Sequence, residues 1–389
     1  MLAIKTRPLG YMIFITVAVT TLFSFSSQPA TTQTSGYSIT DLGTLPGYDE
    51  SSAAAVNASG QVVGSVETIT GISHAYLYNA GVQTDLSVLP GYVSSYAYAI
   101  NSSSLVVGYL DMGSRGNHSA FLWDSTNGLQ DLGPALGSGY SAAFGINDGG
   151  QIVGSFANVS GFLHAFLYDS VTGQTQDLGT LGGDNSEATG NNAGFVVGYS
   201  EINPGSNLSH AFLWNISTQA VQDLGTLGGP ESSANGINAS GQVVGSADIS
   251  SVVNDAFLWT PGATDGVPSN PQMKDLGILA GYSFSQANAI NSIGNVVGSS
   301  YNTDPITGQI TDSHAFLYSN GVLTDLNSLI PAGSGWVLED ATSINDSGQI
   351  VGNGTLNGQV RGFLMAPSLP LAKEMHPARR PLKGTIVAT

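Results

Sequence analysis

The chain has 389 residues, of which 41% are hydrophobic and only 9% charged, with 51 glycines and no cysteine. That balance excludes disulfides, thiolate chemistry and cysteine-ligated metals, and it favours many short strands joined by turns over long helices. Net charge is −18, and residues 37–366 hold 26 of the 27 acidic residues against three bases, Arg115, Lys274 and Arg361, so nucleic acid is excluded as a partner because its phosphate backbone is repelled.

At the N-terminus, Lys5 and Arg7 precede the apolar run Tyr11 to Phe25, 15 residues long. A run of that length suits a signal-peptide core and is short for a spanning helix, which needs ~20 residues. Residues 1–30 therefore read as a signal peptide. An uncleaved anchor is the alternative and would be the chain's one membrane contact. The expected location is secreted, periplasmic or cell-surface, where a cysteine-free chain must be stable through burial and hydrogen bonds alone.

Four motifs then recur in fixed order. D-L-G, or D-L-S and D-L-N, begins at Asp41, Asp85, Asp131, Asp177, Asp223, Asp275 and Asp325, spaced 44, 46, 46, 46, 52 and 50 residues apart. An Ala-rich segment closes on Ile-Asn in most copies. G-Q-V-V-G or a relative ends at Gly64, Gly108, Gly154, Gly198, Gly245, Gly298 and Gly352. H-A-F-L-W or a relative begins at His74, Ser119, His164, His210, Asp255, His314 and Arg361. Each motif is a short apolar or β-branched run bounded by Gly, Asn and Ser, the pattern of a strand, and N-x-x-G between the second and third is a hairpin turn. Four strands in ~47 residues match one blade of a β-propeller.

We label the strands a (Ala-rich), b (V-V-G), c (A-F-L-W) and d (D-L-G). The chain opens on an isolated d strand from Tyr37 and ends its seventh repeat without one. The predicted fold is thus all-β: a seven-bladed propeller of four-stranded blades over residues 37–366, closed by the N-terminal strand completing the last blade. Two alternating positions of strand a are small in every copy, from Ala53 and Ala55 to Ala341 and Ser343. Alternate residues share one face, and a face that must be small is closely approached, which puts a innermost. The fourth copy, A-T-G-N-N-A-G, is one residue short and predicts a distorted a–b turn. Residues 367–389, Pro-rich and basic (Lys373, Arg379, Arg380, Lys383), read as a disordered tail.

This repeat, with H-A-F-L-W, D-L-G-x-L and I-N-x-x-G-Q-V-V-G in order through seven copies, resembles the HAF family of extracellular repeat proteins over nearly all of residues 37–366. The resemblance implies export and repeat architecture and brings no activity with it.

The residues that could do chemistry mostly read as structure. His74, His164, His210 and His314 occupy a position that is Ser, Asp or Arg elsewhere, and equivalent positions around a ring cannot converge on one ion; a hydrogen bond that Ser could also supply is expected. The D-L-G aspartates are expected to bond backbone N–H groups at strand ends rather than hold Ca²⁺. The aromatics of strand c are expected in the core. Most N-x-S/T sequons coincide with the N-x-x-G turn and read as turn chemistry. Nucleophile, phosphate-loop and zinc motifs do not appear, so no cofactor and no metal site is predicted.

Variation among the repeats is greatest in the d–a and b–c loops, which leave an up-and-down blade on one face; the c–d insert Thr260 to Lys274 is an exception on the other. Variable loops on a rigid scaffold are where binding usually sits. The d–a loops carry Tyr48, Asp49, Glu50, Tyr92, Tyr140, Asp184, Glu187, Glu231, Tyr282, Trp336, Glu339 and Asp340, predicted to gather toward the axis. Aromatic rings among carboxylates suit sugars. The reading is an exported, monomeric, non-catalytic module that binds a glycan, polymer or protein. The alternatives are a glycan hydrolase or lyase using loop carboxylates, and a passive surface or matrix component.

Overall fold

The computed structural model describes residues 36–113, 118–137, 139–251 and 253–368; the signal segment, Arg115 and the tail beyond residue 368 lie outside them. The described chain forms seven antiparallel four-stranded sheets in up-and-down order. Blade 1 comprises strands Glu50–Val56, Val62–Glu67, Ser73–Asn79 and Val82–Asp85. Blades 2 to 6 repeat the pattern from strands a at Ser94–Ile100, Ser141–Ile146, Ser186–Asn191, Ser232–Ile237 and Phe284–Ile290. Blade 7 is built from Trp336–Ile344, Ile350–Leu356 and Gln359–Pro367, and its fourth strand is Tyr37–Asp41, paired antiparallel in register from Tyr37 with Pro367 to Asp41 with Phe363. The predicted seven-bladed, head-to-tail closed propeller is the fold observed. No helix among the described residues is long and apolar enough to cross a membrane.

The N-x-x-G turn does two jobs. In blade 1, Asn57 Oδ1 accepts from the N–H groups of Ser59 and Gln61, folding the turn over Gly60, whose φ is +80°. Asn57 Nδ2 donates across to the backbone oxygen of Asn101 in the next blade. Asn101 does the same to Asn147, Asn147 to Asn192, Asn192 to Asn238, Asn238 to Asn291, Asn291 to Asn345, and Asn345 back to Asn57, at 2.8–3.2 Å throughout. The result is an unbroken belt of seven bonds around the axis, buried in all but Asn192, in which each amide gives the next carbonyl a bond that, in six of the seven turns, adds to the one it accepts from its own turn N–H. The shortened blade-4 turn keeps its place in the belt: it closes from Asn192 to Phe195, one residue tighter than Asn57 to Gln61.

Strand a bulges in every blade between its two small positions, as between Ala53 and Ala55. The bulge pushes a carbonyl toward strand b, which explains the seven glycines that end the V-V-G motif: a Cβ on Gly245 would collide with the oxygen of Ser233, and each of the others meets the equivalent atom. The small positions themselves face the next blade, where Gly236 abuts Asn288 and Ala289.

Between blades, a serine near the start of strand a accepts from the c-strand N–H of the preceding blade. The pairs are Ser51 with Gly362, Ser95 with Ala75, Ser141 with Ala120, Ser186 with Ala165, Ser232 with Ala211, and Ser285 with Ala256, at 2.8–3.1 Å. In blade 7 Leu338 replaces the serine, and Asn327 bonds its backbone N–H and oxygen instead. Apolar clusters fill the same interfaces: Leu213 and Val197 of blade 4 pack with Val243, Phe257 and Trp259 of blade 5. The A-F-L-W aromatics are therefore core, with Tyr76, Phe121, Phe166, Phe257, Phe316 and Phe363 fully buried.

Two substitutions test this frame by thermal or denaturant unfolding. Asn238→Ala removes one of the two bonds to the Asn291 oxygen and leaves the Ser240 and Gln242 N–H groups without their acceptor, and is expected to lower stability by about 1–3 kcal/mol. Gly245→Ala forces the bulge open and is expected to lower it by about 1–3 kcal/mol or more.

Candidate functional site

The d–a and b–c loops share one face and hold each other there. Asp49 Oδ2 accepts from the Ile69 N–H at 2.8 Å, Asp184 Oδ2 from Gly205 at 3.0 Å, and the Gly229 N–H donates to the Asp248 oxygen at 2.8 Å. On this face the D-L-G aspartates behave as expected: Oδ1 of all seven accepts the N–H two residues on, at 2.6–2.9 Å.

Their second role joins strands c and d. His74 Nδ1–H donates to Asp85 at 3.0 Å, His164 to Asp177 at 2.9 Å, His210 to Asp223 at 2.9 Å and His314 to Asp325 at 2.8 Å. Ser119 donates to Asp131 in blade 2, so Ser does supply the same bond. In the His210–Asp223 pair the shared hydrogen bond raises the histidine pKa against burial, and at Asp223 burial is outweighed by the His210 bond, the Gly225 N–H and the His210 charge together, which lower the aspartate's. In blade 7 Arg361 turns to the Asp49 oxygen. Blade 5 breaks the rule: Asp255 stands where His should, 6% exposed and with Oδ1 unpartnered, facing Asp275. Burial, then the Asp275 charge and a shared hydrogen bond, push the Asp255 carboxyl up to about 6.

Most of the twelve loop residues serve this rim instead of the axis. Tyr48 and Tyr282 lie over His74 and His314, ring centroids 5.4 Å apart in both, and Tyr92 donates to Asp131 at 2.8 Å. Tyr140 sits 5.3 Å from the His118 ring, and Trp336 packs edge-on against Phe363. Asp49 and Asp184 are taken up by the loop bonds above, Glu50 and Glu231 are exposed, and Glu339 is half-buried near Asp312 and His314. Of the twelve, Glu187 and Asp340 line the cavity at the axis, and the other ten are not among its lining residues.

The axial cavity, about 490 Å³, is lined by strand-a residues from all seven blades. These are the positions flanking the small residues, so they face inward by strand alternation. Its two walls differ. Blades 2 and 3 contribute Tyr96, Tyr98 and Phe144; Tyr98 meets Phe144 edge-on at 5.3 Å and stacks on Tyr109 at 5.7 Å. Blades 4 to 7 contribute Glu187, Thr189, Asn235, Asn288, Asp340 and Thr342. Four side chains of that wall each donate one hydrogen across to the neighbouring blade. Thr189 Oγ1 donates to Ala234 at 2.7 Å, Asn235 to Ala287 at 2.9 Å, Asn288 to Ala341 at 2.9 Å and Thr342 to Ala53 at 3.0 Å. Burial raises the carboxyl pKa of Glu187, against bonds from Ser155 and Tyr199, and of Asp340, against bonds from Ser299 and Asn288. Among the described residues no group of three or more His, Cys, Asp or Glu is placed to hold a metal. Tyr98, Phe144, Asn235 and Asn288 are not among the twelve predicted loop residues; their signal in the sequence is that they alternate with the small positions of strand a.

No protein-family model matches the chain, and no curated protein does. Solved propellers are similar to it. The β-propeller domain of the trilobed protease from Pyrococcus furiosus is 8% identical, covering 83% of this chain and 96% of that one, with TM-score 0.48. TolB from Acinetobacter baumannii is 12% identical over 76% of each chain, TM-score 0.40. The gluconolactonase XC5397 from Xanthomonas campestris is 11% identical, covering 85% of this chain and 90% of that one, TM-score 0.39. None of these likenesses bears on function; the fold rests on the strand order itself.

Blade 5 yields a pH prediction. A carboxyl with a folded pKa above its unfolded value contributes stability that is present below the unfolded pKa and lost as pH rises through the folded one, here near 6. Melting temperature is expected to fall as pH rises from 5 to 7. Asp255→His, which restores the dyad of the other blades, is expected to move that fall to higher pH, because a paired histidine has its pKa raised as His210 does, and to add about 1–2 kcal/mol at neutral pH.

Proposed function

We propose that the chain is an exported, non-catalytic, monomeric binding propeller of the HAF-repeat type, and that it takes a glycan at the mouth of the axial cavity on the d–a and b–c face. The observation that carries this is the two-walled cavity: tyrosines and a phenylalanine on blades 2 and 3 opposite amides, hydroxyls and carboxyls on blades 4 to 7. A sugar ring has the same division, apolar C–H faces and a hydroxyl edge. The volume, about 490 Å³, falls within the ~300–1,000 Å³ typical of small-molecule sites. The ring of bonds that ties the blades keeps the walls in place without a ligand, so little ordering is required on binding.

Non-catalytic binding also fits the carboxyl groups. Glu187 and Asp340 stand on blades 4 and 7, and each is bonded to a neutral partner, Ser155 and Asn288. The five exposed or half-exposed rim acids are Asp49 and Glu50 on blade 1, Asp184 on blade 4, Glu231 on blade 5 and Glu339 on blade 7.

A glycan array with the mature protein tests the reading, followed by titration calorimetry on the best oligosaccharide. Tyr98→Ala is expected to weaken that binding about tenfold or more, with a melt lowered only by the loss of its contacts with Tyr109 and Phe144. Absence of binding to every glycan would overturn the proposal. Release of reducing ends during incubation would replace it with the hydrolase.

A further inference from the structure

We infer that the axial cavity selects a ligand bearing a protonated amine, which within the glycan reading means an amino sugar in preference to a neutral or N-acetylated one. This rests on the glycan reading and names its substrate class. Three independent features of the cavity lead to it.

The first is what the polar wall has left to offer. Thr189, Asn235, Asn288 and Thr342 direct their hydrogens at backbone oxygens of the adjoining blade. What remains facing the cavity is mostly acceptors, the Oδ1 atoms of Asn235 and Asn288, the hydroxyl lone pairs and two carboxyl groups, beside the second N–H of Asn235 and the amide of Asn353. A wall of acceptors pairs with a donor-rich ligand, and an ammonium offers three donors and no acceptor.

The second is charge without a counter-charge. Glu187 is held by Ser155 Oγ at 3.0 Å and Asp340 by Asn288 Nδ2 at 2.8 Å, all neutral groups, and neither Lys nor Arg lines the cavity. Enclosed carboxylates that lack a cation are unfavourable. A bound ammonium supplies the missing charge. The acidic body around the mouth draws cations toward it.

The third is the opposite wall. Tyr96, Tyr98 and Phe144 present aromatic surface where a cation gains from the ring quadrupole and a pyranose packs its apolar face. A metal ion fits poorly by comparison: the two carboxyls belong to blades 4 and 7, and hard cations require six or more oxygens converging on one point.

Calorimetry on the full mature chain, at pH 6.5 and moderate salt, with three β-1,4-linked tetramers decides the matter: glucosamine, N-acetylglucosamine and glucose. The glucosamine tetramer is expected to bind at least about tenfold tighter than the other two. Glu187→Gln and Asp340→Asn, singly and together, are expected to collapse that ratio toward one. Both variants are near-isosteric and remove a charge that burial disfavours, so they are expected to fold; each single variant stands as a test if the double one does not. The preference is expected to weaken as pH falls, beginning above the ordinary carboxylate range, because burial makes both carboxyls easier to protonate. Equal affinity for the three tetramers would overturn the charge inference and leave the glycan reading intact. Binding to none of the three, nor to any arrayed glycan, would overturn the glycan reading itself. An amine preference that survives both substitutions would assign it to the acidic surface and overturn the cavity's role.

Discussion

Closure of the ring is the constraint on which everything else depends, and its clearest expression is the asparagine belt. Each N-x-x-G asparagine uses one end of its amide to fold its own turn and the other to bond the next blade's turn. The bond from Asn345 back to Asn57 spans 288 residues and has the same form as those spanning one repeat. A ring of six or eight blades would change the angle between neighbours and strain every member of the belt. The N-terminal strand Tyr37–Asp41 completes the last sheet and removes its open edge. Together they make a scaffold rigid enough to hold a cavity open at its centre without disulfides.

The rim and the axis then divide the work. On the rim, strands c and d are tied by one side-chain pair per blade, and the chain tolerates His, Ser or Asp there because the aspartate's main bond, to the N–H two residues on, is kept in all seven blades. Blade 5 shows what tolerance leaves behind: two acids where one acid and one donor belong, and a carboxyl that retains its proton to higher pH. At the axis, the small residues of strand a let the blades approach and their neighbours in sequence face the cavity. The aromatic residues fall in blades 2 and 3, where the side-chain bonds between adjacent strands a are lacking; the bonded threonines and asparagines fall in blades 4 to 7. The asymmetry of the cavity is thus tied to how each interface is held.

Much of this was legible in the repeat. The order of motifs at the two ends predicts closure, because a spare d strand at Tyr37 matches a missing one after Gly362. The shortened blade-4 turn and the buried strand-c aromatics also follow from the pattern. The V-V-G glycines were visible as invariant but not as a consequence of the bulge, since the collision with Ser233 and its equivalents exists only when strands a and b are paired. The expectation that d–a loops gather at the axis failed for Tyr48, Tyr92 and Tyr282 because those rings find partners sooner, over the His74 and His314 rings and the Asp131 carboxyl.

By itself the sequence determined the blade count, the strand order within a blade, the closing partner and which residues are core. All of these follow from local periodicity and the inventory of strands. Only the tertiary structure decided which side chains meet at the centre. Tyr98, Glu187 and Asp340 lie up to 242 residues apart and belong to blades 2, 4 and 7. No spacing rule connects them, because their proximity is produced by the closure of the ring and not by any single repeat.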